Sequence, residues 1–176
     1  MDGRCPFYKF FSKDKKWNVE EKADIWLFPL VVMIMIFSFS GQQGEESSSM
    51  SNMFVNLFLQ IRGTLGLFPK FADAELVNLI SLVVRKGAHV TEYVLLCTSF
   101  LTAFWISGVH GKWRNICSFV FTFGYACTDE FHQLFVPGRA GQFRDVLIDS
   151  SGALVLSLIV VLVMYIRRKR VSANQK

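Results

Sequence analysis

No charged residue interrupts the chain from Ile25 to Gly44. Three further apolar stretches follow, at about Ala88–Ser107, Trp113–Phe135 and Ser150–Ile166. A helix needs about 20 predominantly apolar residues to cross a bilayer, with a range of about 17–25. Each stretch reaches that length once its polar flanks are counted. Lipid leaves no water for an exposed backbone, so each must close its own hydrogen bonds as a helix. These four stretches constrain the chain more than any other feature. They predict an all-α, polytopic membrane protein with four transmembrane helices in an antiparallel bundle.

Composition agrees. The chain is 52% hydrophobic and has 18 Phe, while the 19% charged residues are clustered rather than interspersed. Basic residues gather before the first stretch (Lys9, Lys13, Lys15, Lys16, Lys22), between the second and third (His110, Lys112, Arg114) and after the fourth (Arg167, Arg168, Lys169, Arg170). With four spans these regions share one face, and positive charge favours the cytoplasm. Both termini are therefore expected inside, although Arg62, Lys70, Arg85, Lys86, Arg139 and Arg144 fall on the other side. The net charge of +5 is better explained by anionic lipid than by nucleic acid, and no nucleic-acid partner is expected. The first apolar stretch has no small-residue cleavage site and reads as a helix that stays. The location expected is the cell membrane, multi-pass.

Three segments follow from this layout. Residues 1–24 form a basic cytoplasmic segment, residues 25–166 the membrane domain, and residues 167–176 a basic cytoplasmic tail. Within the domain, an outer loop of about 41–87 is long enough to carry structure of its own. Met53, Phe54, Leu57, Phe58 and Ile61 recur there at helical spacing, as a helix lying on the outer leaflet or packed on the bundle. Asp73 is a candidate N-cap for a helix over Ala74–Val84 leading into the second span. Cys5, Cys97, Cys117 and Cys127 show no metal-ligand spacing and read as small hydrophobes.

Ionisable residues beside hydrocarbon are costly and usually functional. They recur in three places. Residues three or four apart share a helix face, so Arg85, Lys86, His89, Glu92 and Tyr93 make one stripe at the start of the second span. Asp129, Glu130, His132 and Gln133 lie at the end of the third, and Asp145 and Asp149 at the start of the fourth. Pro137-Gly138 marks a turn between them, followed by Arg139. Alternating span directions put all three groups at one depth on the outer side, and a bundle would bring them to one centre.

These strings resemble the VanZ-like family. The R-K-x-x-H-x-x-E-Y motif stands at Arg85–Tyr93, D-E-x-H-Q-x-F-V-P-G-R at Asp129–Arg139, and D-V-x-x-D-x-x-G at Asp145–Gly152. Phe37-Ser38-Phe39-Ser40 followed by Gln42 is also similar. The resemblance covers about residues 25–165. It implies a bacterial cell-envelope membrane protein influencing susceptibility to the glycopeptide antibiotic teicoplanin. It does not imply a reaction.

Several readings of the polar cluster stand side by side. In an enzyme acting on a lipid-linked or cell-wall substrate, His89, Glu92, Asp129, Glu130, His132, Asp145 and Asp149 are the candidate catalytic groups. Arg85, Lys86, Tyr93, Gln133 and Arg139 would hold a phosphate or anionic headgroup. A divalent metal on His89, Glu92, Glu130, His132, Asp145 and Asp149 is an alternative cofactor. A non-enzymatic protein binding or transporting anionic lipid would use the same groups. In a purely structural ion-pair network, Arg85 or Lys86 would pair with Asp145 or Asp149, and Arg139 with Asp129 or Glu130. The inner halves of the spans look apolar apart from Thr98, Ser99 and Thr102, read as helix contacts. The sequence carries no signal for oligomeric state.

Overall fold

The computed structural model describes residues 17–41, 53, 55–57, 60–61, 74–139 and 141–173. The described residues form helices joined by turns, with no strand among them. Five helices are complete: α1 Val19–Asp24, α2 Leu27–Ser40, α3 Ala74–Ile106, α4 Lys112–Gln133 and α5 Phe143–Ala173. Glu21 accepts the Asn18 N–H at 3.0 Å and so caps α1. A turn at Ile25–Trp26 leads into α2, where Pro29 sits in the first turn and its missing N–H costs nothing. Residues 53, 55–57, 60 and 61 are also helical. Of these, Met53, Leu57 and Ile61 are exposed and Val55 is buried, while Phe54, Phe58 and Asp73 lie outside the described residues.

Among the described residues three helical stretches are long and apolar enough to cross a membrane: Val19–Ser40, Val77–Ile106 and Phe143–Arg167. Two helices are longer than their apolar stretches. The second runs unbroken over Ala74–Ile106, taking in the helix expected over Ala74–Val84, and the fourth runs over Phe143–Ala173 rather than 150–166. Hydropathy marks the depth of hydrocarbon and not the end of a helix, because Arg, Lys and Glu continue a helix as well as Leu does.

Helices α3, α4 and α5 pack on one another about equally, and α2 packs chiefly against α3. Their shared core comprises Val32, Ile36, Tyr93, Leu96, Phe100, Ala126 and Val146. Trp26 meets Phe104 edge to face at 5.1 Å, and its indole N–H donates to Ser107 Oγ at 3.1 Å. Between α3 and α5 the backbones approach closely at Gly152. A Cβ there would lie 2.6 Å from side-chain atoms of both Val90 and Val94. A small residue at this crossing is what membrane helix packing favours.

The inward face of α4 corrects one expectation. Its buried residues are Asn115, Ser118, Thr122, Ala126, Asp129, Glu130 and Gln133, so polar groups continue through the apolar-looking half. Asn115 Nδ2 donates to the Ser157 carbonyl at 3.1 Å, and the Ser118 and Thr122 hydroxyls donate to carbonyls four residues back. Of the hydroxyls expected as helix contacts, Ser99 is buried, Thr98 exposed and Thr102 half-buried, and all three donate to carbonyls of their own helix. The outward face of α4 carries Trp113, Ile116, Val120, Phe121 and Phe131, all exposed.

Candidate functional site

The polar end of the bundle is assembled by one turn and two helix ends. Arg139 N–H donates to the Val136 carbonyl at 3.1 Å, closing a turn with Gly138 at φ +75°, a left-handed value that suits glycine. Gly141 then passes so close to α4 that a Cβ would collide with the Glu130 carbonyl oxygen and press on Leu134. This approach lets Glu130 Oε2 accept the Gln142 N–H at 3.0 Å, directly before α5 begins. A carboxylate at a helix N-terminus satisfies an orphan donor and meets the positive end of the dipole. Sequence spacing alone had not assigned Glu130 this capping role; its signal was the glycine two residues before the helix.

The result is a pocket of about 160 Å³. Helix α3 contributes Arg85, Lys86 and His89, α4 contributes Glu130 and Gln133, the turn contributes Gly138 and Arg139, and α5 contributes Asp145. The share of liquid volume held by one water is about 30 Å³, so the space suits a small polar group rather than a chain. Lys86 Nζ lies 2.6 Å from Asp145 Oδ2, which ties α3 to α5 and neutralises one of the three cations. Burial and the charge of Arg85 hold the Arg139 guanidinium below its usual pKa, against the pull of Asp129, Glu130 and Glu92.

Behind the pocket lies a second layer. Tyr93 is fully buried, and its hydroxyl donates to Asp129 Oδ2 at 3.1 Å. Gln133 Nε2 donates to the same oxygen at 3.3 Å. Asp129 and Asp149 are 2% and 1% exposed, and the Oδ1 of each has no hydrogen-bond partner among the described residues. Beside them His89 Nδ1 lies 3.3 Å from Glu92 Oε2, one helical turn along α3.

The structure thus brings Arg85, Lys86, His89, Glu130, Gln133, Arg139 and Asp145 around one space, with Tyr93, Glu92, Asp129 and Asp149 adjoining. His132 is the exception. Its ring packs tilted against Phe37 of α2, with centroids 4.2 Å apart, and it does not line the pocket. The six-residue metal set is not assembled either. Among the described residues no three His, Cys, Asp or Glu side chains converge as a metal site.

The chain matches the family model for VanZ/LLP1 over residues 25–164. The chain belongs to the VanZ/LLP1 family. The match covers all of α2, α3 and α4, the turn, and α5 as far as residue 164. Every pocket residue of this VanZ/LLP1 chain therefore falls inside the matched region. No curated protein and no solved structure matches the chain.

Proposed function

We propose that this VanZ-like membrane protein presents its polar pocket at the outer face of the bacterial cell membrane, where it binds the phosphate or other anionic headgroup of a lipid-linked or cell-wall substrate. The observation that supports this reading is the pocket itself. Arg85 and Arg139 line a space of small-group size beside the already neutralised Lys86–Asp145 pair. Guanidinium groups match phosphate oxygens in a two-pronged geometry.

The outer location follows if α4 is the fourth span, with both termini cytoplasmic. Its 22 residues give a length of about 33 Å, against about 30 Å of hydrocarbon. Its average polarity comes from the side chains that face inward, while lipid would meet Trp113, Ile116, Val120, Phe121 and Phe131. Crossing alongside α3 and α5 keeps its packed length at their depth. A cysteine placed at Gly138 is expected to react with an impermeant thiol reagent from outside intact cells. Labelling only after permeabilisation would reverse the topology.

Family membership extends the reading to teicoplanin-type susceptibility, because that drug acts on the cell envelope. Binding is tested with the full chain in nanodiscs. Farnesyl monophosphate should bind saturably and farnesol should not, and the double variant Arg85→Gln/Arg139→Gln should lose the difference. Equal binding of alcohol and phosphate would contradict the headgroup assignment. A single-copy gene should raise the teicoplanin concentration needed to stop growth, and the double variant should not.

A further inference from the structure

We infer that the pocket selects a single terminal phosphate, a monoester at the end of a lipid chain, over a lipid diphosphate, and that the Lys86–Asp145 pair sets this choice. The inference rests on the headgroup reading above and names the class of headgroup. Size gives the first reason. The pocket measures about 160 Å³. A cavity of about 150 Å³ takes one molecule of benzene. A phosphate group, one phosphorus ringed by its oxygens, is of that size. A diphosphate is nearly twice as large, and the lipid chain itself stays in hydrocarbon.

Charge gives the second reason. Arg85, Lys86 and Arg139 line the pocket, but Lys86 Nζ lies 2.6 Å from Asp145 Oδ2 and is already matched. The other two cations oppose each other, since the charge of Arg85 helps to hold the Arg139 guanidinium below its usual pKa. An anion seated between like charges relieves their repulsion. A phosphate monoester brings a charge of about −1.5 to −2, which two guanidiniums balance. Its terminal oxygens suit their two-pronged donors. His89 lines the pocket too, but its Nδ1 lies 3.3 Å from Glu92 Oε2. A proton gained by that ring is met by an acid of its own helix.

A second phosphate finds no further cation among the residues that line the pocket. The Lys86–Asp145 pair is neutral as a unit and offers it nothing. Glu130 accepts the Gln142 N–H through Oε2, yet a carboxylate with one oxygen engaged keeps its charge and repels the added anion. The adjoining acids Glu92, Asp129 and Asp149 limit further the negative charge that the pocket can take. Asp145 is therefore the specificity-determining residue, because it removes Lys86 from the cations open to a ligand. The ligand so defined is what remains when a lipid diphosphate loses its terminal phosphate by hydrolysis, so the pocket fits the product of such a reaction.

The test uses the full chain in phosphatidylcholine nanodiscs and measures Kd for farnesyl monophosphate and farnesyl diphosphate, with inorganic phosphate as competitor. Wild type should bind the monophosphate at least about tenfold more tightly than the diphosphate. Inorganic phosphate at equal concentration should not displace the lipid. Asp145→Asn opens Lys86 to the ligand, and its preference should shrink to within about threefold. Lys86→Gln bares Asp145 and should widen the preference instead, so the two variants move in opposite directions. Equal or tighter binding of the diphosphate by wild type would overturn the selection and leave the headgroup reading standing. If neither lipid binds, the headgroup reading falls first. Displacement by inorganic phosphate at equal concentration would make the ligand free phosphate and overturn the lipid assignment. An Asp145→Asn protein that unfolds cooperatively yet keeps the full wild-type preference would remove the pair from the choice.

Discussion

Buried polar groups occupy both halves of the bundle, but the two halves use them differently. In the half holding Asn115, Ser118 and Thr122 these three groups are neutral, and each donates a hydrogen bond to a backbone carbonyl, although Asn115 Oδ1 has no partner among the described residues. In the half holding Tyr93, Asp129 and Asp149 they include acids, whose Oδ1 atoms have no partner among the described residues, and a pocket opens beside them. Asn115 ties α4 to α5, a contact of a kind worth about 0.6 kcal/mol between membrane helices, while Ser118 and Thr122 bond within α4. Buried acids cost more than that return unless they serve something else. The comparison separates packing from function within one helix, since α4 carries both kinds on one face.

Substitutions can break this contrast, and the largest effect is expected at Asp129. Asp129→Ala strands the Tyr93 hydroxyl and the Gln133 amide, two buried donors at about 1–3 kcal/mol each. A loss of about 2–5 kcal/mol should appear in reversible unfolding in mixed micelles. Next is Gly152→Val, which drives methyl groups into Val90 and Val94 and should cost about 1–3 kcal/mol by the same measurement. Lys86→Met removes a pair whose side chains are 26% and 23% exposed, so about 1 kcal/mol or less is expected. Its larger effect should be on headgroup binding, because Asp145 is left facing the pocket. The smallest effect belongs to the other half. Asn115→Leu should shift stability by about 0.6 kcal/mol and Thr122→Val by no more, and both should leave phosphate-lipid affinity untouched. A substantial loss of affinity in either would blur the line between the halves.

Much of this was legible in the sequence, for identifiable reasons. The convergence of Arg85–Glu92, Asp129–Gln133 and Asp145–Asp149 follows from apolar stretches that alternate in direction and carry their charges at matching ends. The helical face of Asp129 was legible too, but its width was not. Asp129, Glu130 and Gln133 all turn inward, whereas His132, grouped with Asp129 by three-residue spacing, is rotated far enough to meet Phe37. Spacing gives a shared side and not which neighbour covers its edge. The inner polar face was hidden by averaging, because Asn115, Ser118 and Thr122 are diluted by the Phe, Val and Ile residues around them. Glu130's cap on α5 depends on Gly141 clearing the Glu130 carbonyl, a contact across the turn that no periodicity encodes.

The central claim is that the polar end is built to take an anionic headgroup and not merely to hold helices together. The most direct measurement is the affinity of nanodisc-held protein for farnesyl monophosphate, read beside its thermal midpoint, in wild type and in Arg85→Gln/Arg139→Gln. Two charge-assisted contacts, at about 1.5–3 kcal/mol each, predict at least a 100-fold loss of affinity in a protein that still folds cooperatively. A double variant that melts early while binding as tightly as wild type would make the cations glue and contradict the account.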